Sequence, residues 1–341
     1  MPKRTKDVNK PVKLLAFGEI LWDMLPSGKK MGGAPVNFLY HAQTAGADVR
    51  ALTRVGKDEL GDEILENVRR LNLSTELIQT DPTAPTGVVE VALDEKGTPS
   101  YQIVKKVAWD NIATENETLE KVKEFFADPS VPSAFCFGTL ALRSSNNKSA
   151  IVRLMEALPR HVKRFADLNF RAPFYAYETT DFSVGVSDFV KLSVEEALEL
   201  NRLLPPVFLF KSDVEALNDP KVREELADSD SDDHEVKRAF REWATSFQKE
   251  RNAGTIILTC GENGAFIFDR KKTYYEPALP VDVKDTVGAG DAFAALCLVG
   301  LLRGVDYKTI LKAAAKRAAF VCAQDGGTPI IPKKLLAPFG A

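Results

Sequence analysis

The stretch that most constrains this chain is DTVGAGD at residues 285–291, which lies between a predicted strand at residues 281–284 and a predicted helix at residues 292–303. Two glycines separated by one small residue leave backbone N–H groups uncovered where the helix begins. The partial positive charge of the helix N-terminus adds to these donors, so the stretch is suited to binding an anion. Asp291 places a carboxylate at the same point, which is useful if it must take a proton from a group that attacks phosphorus. The pattern therefore indicates phosphoryl transfer.

Three other interpretations compete for this stretch. A dinucleotide-binding fingerprint would need a small residue at Phe293 and then a strand ending in an acid, but residues 292–324 are predicted to form two helices. A Walker P-loop would need Gly-x-x-x-x-Gly-Lys-Ser/Thr, which occurs nowhere in the sequence. An ordinary strand-to-helix turn with an acidic cap fits the seven residues when they are taken alone.

A second stretch, GGAPVN at residues 32–37, decides between these interpretations. In this order and about 250 residues apart, the two stretches resemble the two signatures of the ribokinase-like (PfkB-type) carbohydrate kinases. The resemblance extends over roughly residues 12–332, and residues 18–38 are most similar to bacterial fructokinases. It implies an α/β fold in which helices flank both faces of a mostly parallel central sheet. It also implies a small β-sheet lid and a single kinase domain over residues 1–341.

The length and charge of the chain limit its partners. With 341 residues, it can bury a core for one large domain or two small ones. The net charge of −3 argues against a nucleic-acid partner, which usually needs a basic face, and the sequence predicts no membrane span. We therefore expect the phosphates of a nucleotide to be held by local donors rather than by the overall field.

The four cysteines lie far apart, and no two of them form a Cys-x-x-Cys pair. We interpret them as buried free thiols, which suits a reducing cytosol and predicts a cytoplasmic location. Residues 1–10 are basic, and no apolar segment follows them before the first strand. We interpret them as a disordered tail rather than a signal peptide.

The first predicted strand, residues 12–17, leads to the candidate sugar site. Asp23 follows this strand, and a carboxylate beyond the carboxyl end of a strand can accept two hydrogen bonds from vicinal hydroxyls. A solvated turn acid is the alternative. The resemblance makes Asp23 the expected acceptor of sugar hydroxyls. Gly32 and Gly33 would leave room for the sugar, and Asn37 would donate and accept beside it.

A β-hairpin is predicted around residues 86–105. Apolar residues alternate with less apolar ones before and after a Lys-Gly pair, which is typical of two paired strands. The resemblance implies that this hairpin covers the sugar as a lid and provides a homodimer contact. An edge hairpin of the main sheet is the alternative.

A strand that ends in FADLNFR, residues 165–171, carries two further candidates. Its end is similar to the D-x-N-x-R motif of the family. Arg171 could neutralise a phosphate oxygen or fix a hydroxyl, and Asn169 is implied as a second substrate contact. A solvated salt-bridge arginine is the alternative.

The strand at residues 188–192 leads to candidates for the nucleotide and its metal ion. Most relatives carry N-x-x-E here, whereas this chain has Ser193 in place of the asparagine and retains Glu196. The resemblance implies that Lys191 and Ser193 lie near the nucleotide. It also implies that Glu196 orients Mg²⁺ through water, because Mg²⁺ keeps much of its hydration shell. A glutamate in the first turn of a helix is the alternative.

The nucleotide side is predicted around strands at residues 255–259 and 265–269. Glycines in the turn between them would let phosphates pass close to the backbone, and a plain hairpin turn is the alternative. An alanine-rich helix at residues 311–324 is the expected purine wall, and the resemblance implies a monovalent cation such as K⁺ beside the anion site. The residues concerned are Thr259, Gly261, Gly264 and Thr286 for ATP, and Asp285, Val287 and Gly326 for the cation.

Residues 205–235 break the alternation of strands and helices with two prolines and an acidic cluster at residues 228–233. We predict a solvated surface excursion. An EF-hand calcium loop does not fit, because the glycine and the terminal glutamate that such a loop needs are missing.

These expectations combine into an ATP-dependent sugar kinase. Asp291 would take the proton of a primary hydroxyl while the γ-phosphoryl group passes in line. N–H groups of the helix mouth, which is the N-terminal turn at residues 288–291, would stabilise the equatorial charge together with Mg²⁺. We expect conversion of D-fructose to fructose 6-phosphate. Ribose, 2-keto-3-deoxygluconate and a nucleoside remain open as substrates, as does a catalytically silent relative that binds sugar or nucleotide. The helix-mouth donors are those of Gly288, Ala289, Gly290 and Asp291.

Overall fold

The structure is a computed structural model, and it describes residues 11–25, 28–93, 99–204, 208–228 and 234–339. Its strands are β1 (Lys13–Phe17), β2 (Leu21–Leu25), β3 (Gly28–Gly32), β4 (Asp48–Gly56), β5 (Ile78–Asp81), β6 (Gly87–Leu93), β7 (Pro99–Ile103), β8 (Ser133–Gly138), β9 (Lys163–Asp167), β10 (Phe189–Ser193), β11 (Thr255–Thr259), β12 (Ala265–Phe268) and β13 (Thr273–Glu276). Its helices are α1 (Ala34–Thr44), α2 (Glu59–Arg70), α3 (Asn116–Phe125), α4 (Ser145–Ala157), α5 (Tyr177–Gly185), α6 (Val194–Leu203), α7 (Lys211–Ala216), α8 (Pro220–Asp228), α9 (Glu235–Arg251), α10 (Ala289–Arg303), α11 (Tyr307–Cys322) and α12 (Lys333–Leu336).

Nine of these strands form the main sheet, in the order β13-β12-β11-β10-β9-β8-β1-β4-β5. From β11 to β5 all neighbouring strands pair in parallel. β12 and β13 add an antiparallel edge. Parallel neighbours need crossover connections, which here contain helices. The predicted α/β class with a mostly parallel central sheet is confirmed.

Side chains of β1 alternate between two separate hydrophobic cores. Leu15 and Phe17 belong to one core, and Leu14 and Ala16 belong to the other. Helices α4, α6 and α9 contribute to the first core, whereas α1, α10 and α11 contribute to the second. Because successive side chains of a strand point to opposite faces, helices cover both faces of the sheet, as predicted.

A second sheet has the strand order β3-β2-β6-β7. β6 and β7 form the predicted hairpin and pair antiparallel, while the residues 94–98 between them lie outside the described part of the chain. β2 pairs with β6 in parallel and with β3 antiparallel. The hairpin therefore belongs to a separate small sheet and not to the edge of the main sheet. The sequence did not predict β2 and β3, because each has only five residues and neither shows a clear apolar run.

The predicted strand at residues 281–284 is wrong, because this segment has no strand conformation. The N–H groups of Lys284 and Asp285 donate to the carbonyl of Cys322 at the end of α11, at 2.8 and 3.2 Å. Its backbone is thus held by a helix terminus instead of a neighbouring strand. Helix α10 begins at Ala289 rather than at residue 292.

The predicted surface excursion at residues 205–235 is partly helical. Helices α7 and α8 lie in its described part, and Leu209, Leu217 and Leu226 are buried in the first core. Burying these leucines favours packing over full solvation. Residues 205–207 and 229–233, which include most of the acidic cluster, lie outside the described part, as do residues 1–10. No helix among the described residues has both the length and the apolarity to cross a bilayer.

Candidate active site

The candidate site lies where β1, β8 and β9 end and where α1 and α10 begin. A cavity of about 30 Å³ at this point is lined in part by Glu19, Phe38, Asp167, Asn169 and Asp291. The carboxyl ends of neighbouring parallel strands meet here, at the edge where open α/β sheets bind ligands. Three carboxyl groups therefore share one small cavity at the ligand-binding edge of the sheet.

Helix α10 begins with the glycines of the DTVGAGD stretch at residues 285–291, called the central stretch below. Gly288 caps the helix in a left-handed conformation with φ of 77°, and a Cβ atom there would lie 2.4 Å from the Cα of Gly327. Ala289 and Gly290 come next, and Asp291 is the third residue of the helix. A helix N-terminus, which favours anions, and a carboxylate thus stand together.

Asp291 is half-buried and accepts a hydrogen bond from the carboxamide of Asn37, with 3.0 Å between Nδ2 and Oδ2. Burial raises the pKa of Asp291, and the Asn37 hydrogen bond and the charges of Lys191 and Arg171 partly offset this shift. A carboxylate with a raised pKa is a better proton acceptor near neutral pH. Asn37, predicted as a sugar contact, is also the residue that holds the candidate base.

A buried ion pair lies beside the mouth of α10. Lys191 Nζ is 3.1 Å from Asp167 Oδ1, and a Cβ atom on Gly290 would lie 3.5 Å from the same nitrogen. Burial alone would lower the pKa of Lys191, but nearby carboxylates, led by Asp167, outweigh burial and raise it. The ammonium and the helix N-terminus are both positive, so together they favour an anion such as a phosphate. Asp167 was not singled out from the sequence, although it begins the D-x-N-x-R pattern.

Glu19 is a second residue of the site that sequence reasoning missed. Its side chain is buried, and Oε1 accepts the N–H of Ala34 in the first turn of α1 at 3.3 Å. Burial raises the pKa of Glu19 to about 7, and the charge of Asp291 adds to this shift while Arg171 opposes it. The only signal in the sequence is an acid directly after the glycine that follows β1.

Asp23 lies on β2 of the small sheet and not in a turn after the first strand. Its half-buried position raises the pKa of its carboxyl group. Gly32 and Gly33 lie so close to other parts of the protein that a side chain at either position would collide. A Cβ on Gly32 would lie 2.4 Å from Oδ2 of Asp23. A Cβ on Gly33 would lie 2.5 Å from the carbonyl oxygen of Glu19. The small sheet thus carries Asp23, whose role as a hydroxyl acceptor stays a prediction.

Asn169 and Arg171 both follow β9. Asn169 lines the cavity and has a left-handed backbone with φ of 42°. Arg171 is exposed, and its Nη1 donates to the carbonyl of Phe170 at 3.0 Å. Within the described ranges Arg171 forms no salt bridge, yet its charge acts on the carboxyl groups of the site. Its guanidinium therefore remains available to a ligand.

Ser193 and Glu196 form a reciprocal cap at the start of α6. Ser193 Oγ accepts the N–H of Glu196 at 3.2 Å, and Glu196 Oε2 accepts the N–H of Ser193 at 2.7 Å. Glu196 Oε1 also accepts the N–H of Phe170 at 2.5 Å. The helix-cap alternative is therefore realised. Each carboxylate oxygen keeps a lone pair that a metal-bound water could use.

The predicted nucleotide residues lie around the turn between β11 and β12. Thr259 ends β11, and the turn glycines have φ of 56° at Gly261 and 98° at Gly264. A Cβ on Gly261 would meet open space, whereas one on Gly264 would lie 2.3 Å from the carbonyl oxygen of Glu276. Gly264 is thus required for chain packing, and Gly261 leaves free space. Thr286 is exposed on the central stretch.

The residues predicted around a monovalent cation come together through Asp285. Its Oδ1 accepts the N–H of Val287 and its Oδ2 accepts the N–H of Gly326, both at 3.0 Å. Asp285 therefore joins the central stretch to the loop after α11. The arrangement brings the three predicted residues into one neighbourhood.

Comparison with known proteins agrees with this geometry. The sequence matches the family model described as pfkB family carbohydrate kinase over residues 27–334. It is 26% identical over 309 residues to the 2-dehydro-3-deoxygluconokinase of Thermoproteus tenax, covering 89% of this chain and 83% of that protein. The fold is similar to that of the fructokinase with bound ATP from Xylella fastidiosa, with a TM-score of 0.70, 20% identity, and coverage of 93% and 94% of the two chains. The fructokinase from Vibrio cholerae O395 with bound fructose, ADP and calcium ion has a TM-score of 0.68 and 21% identity, with coverage of 98% and 99%.

Proposed function

Because this chain belongs to the pfkB family of carbohydrate kinases, which transfer phosphoryl groups to alcohols, we propose that it phosphorylates D-fructose with ATP to give fructose 6-phosphate. The single observation that carries the proposal is the contact between Asn37 and Asp291 at the mouth of α10. This contact puts a held carboxylate where a helix N-terminus can receive phosphate. The arrangement supports proton removal and phosphoryl transfer at one point.

The proposed reaction uses Asp291 as general base. Asp291 takes the proton of the sugar's primary hydroxyl while the hydroxyl oxygen attacks the γ-phosphorus of ATP. The bond between the γ-phosphorus and the bridging oxygen of the β-phosphate breaks on the opposite side, in line with the attack. N–H groups at the start of α10 and the ammonium of Lys191 stabilise the charge on the transferred group. Asp23 and Asn169 are the proposed hydroxyl contacts, and Arg171 is a proposed phosphate or hydroxyl contact. The β6–β7 hairpin excludes water when the site closes.

The charge of the site supports a neutral sugar. Asp23 and Asp291 bring negative charge to it, and the buried cation Lys191 is already paired with Asp167. A carboxylate on the substrate would be repelled by these acids. The second candidate is 2-keto-3-deoxygluconate, which the similarity to the Thermoproteus tenax protein favours. Exposed Arg171 is the cation that could receive its carboxylate.

The residues present fit a magnesium ion held through water. Both oxygens of Glu196 accept backbone N–H groups, so this carboxylate suits outer-sphere contact better than direct coordination. Bound Mg²⁺ would neutralise charge on the β- and γ-phosphates. We also propose K⁺ near Asp285, Val287 and Gly326, where Asp285 already joins both neighbours.

We further propose that the whole chain acts as one kinase domain, that the small sheet provides a homodimer contact, and that the protein works in the cytoplasm. The free cysteines support a reducing compartment. They are Cys136, Cys260, Cys297 and Cys322.

The proposal is tested by ATP consumption over a panel of fructose, ribose, 2-keto-3-deoxygluconate, glucose and adenosine, with Asp291→Asn measured alongside. We expect fructose to give the highest kcat/KM and the Asn variant to lose on the order of 10³-fold in kcat. ATP binding without turnover of any acceptor would favour a silent binding protein. A fully active Asn variant would show that another group is the base.

A further inference from the structure

His41 is a fully buried histidine on α1 that no part of the proposed reaction uses. It lies one helical turn after Asn37, so both side chains share one face of the helix. Its Nε2 is 2.9 Å from the carbonyl oxygen of Gly327, and its Nδ1 is 3.4 Å from Nη1 of Arg317. His41 therefore joins α11 to the loop that follows it.

Arg317 decides which ring nitrogen of His41 carries the proton. A guanidinium only donates hydrogen bonds, so Nδ1 of His41 must accept and Nε2 must carry the hydrogen that is donated to Gly327. Arg317 is itself fully buried and held by Thr44 Oγ1 at 2.7 Å and by the carbonyl of Leu335 at 2.6 Å. The tautomer of His41 is thus set by a fixed neighbour.

Gly327 lies between the anion-binding end of α10 and the residue that holds the base. A Cβ atom on Gly288 would lie 2.4 Å from the Cα of Gly327. A Cβ atom on Gly327 would lie 2.8 Å from Nδ2 of Asn37. Gly327 is therefore packed closely against both the cap residue of α10 and the carboxamide that binds Asp291.

We infer that the Arg317–His41 pair is a positioning device, in which the Nε2–H of His41 holds Gly327 against Gly288 and Asn37 and so aligns the anion site with the base. This inference rests on the proposed function. Because α1 holds Asp291 through Asn37 and the loop through His41, one helix face sets both halves of the reaction geometry. A misplacement of about 1 Å at a reacting centre can lower the rate on the order of 10²-fold.

The test compares His41→Met with His41→Gln. Methionine fills a similar volume but cannot donate to Gly327, whereas glutamine can accept from Arg317 through Oε1 and donate through Nε2. We expect the Met variant to lose on the order of 10²-fold in kcat with little change in KM for either substrate, and the Gln variant to keep most of the wild-type kcat. Hydrogen exchange of the backbone at residues 325–328 should be faster in the Met variant alone.

Gln248→Met is the matched control. Gln248 is also buried and donates to two backbone carbonyls, those of Gly254 at 2.7 Å and Phe268 at 3.3 Å. Gly254 precedes β11, so this contact lies at the amino end of the parallel strands, far from the site. We expect this variant to lose stability while its kcat and the exchange of residues 325–328 stay at wild-type values.

The inference is overturned if His41→Met keeps its kcat, or if His41→Gln loses as much as His41→Met. If His41→Met does not fold, Arg317→Lys is measured in its place, since a single ammonium cannot reach His41, Thr44 and Leu335 together. An unchanged kcat and unchanged hydrogen exchange at residues 325–328 in Arg317→Lys would then overturn the inference. A wild type that turns over no acceptor would refute the proposed function instead. In that case the inference is tested by hydrogen exchange at residues 325–328 alone, and unchanged exchange in His41→Met refutes it.

Discussion

The carboxamide of Asn37 donates to the carboxylate of Asp291 at 3.0 Å and joins two helices whose residues are 254 positions apart. This hydrogen bond lowers the pKa of Asp291 against the raising effect of burial. A base must be deprotonated to act, so Asn37 controls the pH range over which Asp291 can take a proton.

Replacing Asn37 should therefore shift the acid limb of the pH–kcat profile. In Asn37→Leu the carboxylate loses a hydrogen bond that favours its charged form, so the pKa of Asp291 rises and full activity is reached only at higher pH. A charge-assisted bond of about 1.5 kcal/mol corresponds to about one pH unit. The measurement is log kcat between pH 5 and 9.

Asn201→Leu is the control for this experiment, because Asn201 also exchanges hydrogen bonds through a carboxamide, but with the backbone of Leu209. Its acid limb should stay in place. An unmoved limb in Asn37→Leu would mean that this contact does not control the base.

Glu19→Gln should change how stability depends on pH. Burial raises the pKa of Glu19 to about 7 in the folded state from 4.5. The stability that this carboxyl contributes is thus fully present below pH 4.5 and is lost as the pH rises through 7. The Gln variant lacks this loss, so its stability relative to wild type should rise by at most about 3 kcal/mol between pH 4.5 and pH 8. Urea unfolding at several pH values measures the difference, and parallel curves would contradict it.

Gly288→Ala should be more damaging than Gly326→Ala, although both glycines have nearly the same backbone conformation, with φ of 77° and 75°. A left-handed conformation costs an alanine about 1–2 kcal/mol at either position. At Gly288 the new Cβ would also collide with Gly327, whereas at Gly326 nothing lies within 4 Å. Unfolding free energies compare the two variants, and equal losses would show that Gly327 can move without cost.

Arg143→Met should destabilise the base of the small sheet. Arg143 pairs with buried Asp110 at 2.8 and 3.0 Å and donates to the carbonyl of Val104, next to β7, at 2.6 Å. Its guanidinium also stacks on Trp109 at 3.9 Å. Removing it leaves a buried carboxylate unpaired, which should cost roughly 3–5 kcal/mol. Urea unfolding measures the loss, and sugar KM should rise because the hairpin is less well held.

Lys163→Met is the matched control for Arg143→Met. Lys163 pairs with Asp188 at 2.8 Å, but this pair is exposed to solvent. Its loss should cost below about 1 kcal/mol, since water screens an exposed pair. Similar losses in the two variants would show that burial does not set the strength of the Arg143 pair.

Local patterns predicted the central sheet, the hairpin and the existence of helix α10, although α10 begins three residues earlier than predicted. The apolar run of β1, the alternation in β6 and β7 and the glycines at the start of α10 are each visible within a few neighbouring residues. The prediction of a strand at residues 281–284 was wrong because the N–H groups of Lys284 and Asp285 donate to the carbonyl of Cys322 at the end of α11. Sequence periodicity carries no information about a partner from another element.

The sequence by itself determined that a carboxylate follows two glycines at a helix N-terminus, because backbone geometry and side-chain chemistry act over a few residues. Only the tertiary structure decided that Asn37 holds Asp291, that Lys191 pairs with Asp167 and that Glu19 is buried beside them. These contacts depend on which strands become neighbours in the sheet, and that order is set by packing of the whole chain. Burial then shifts the pKa values of the acids, and burial is a property of the folded molecule.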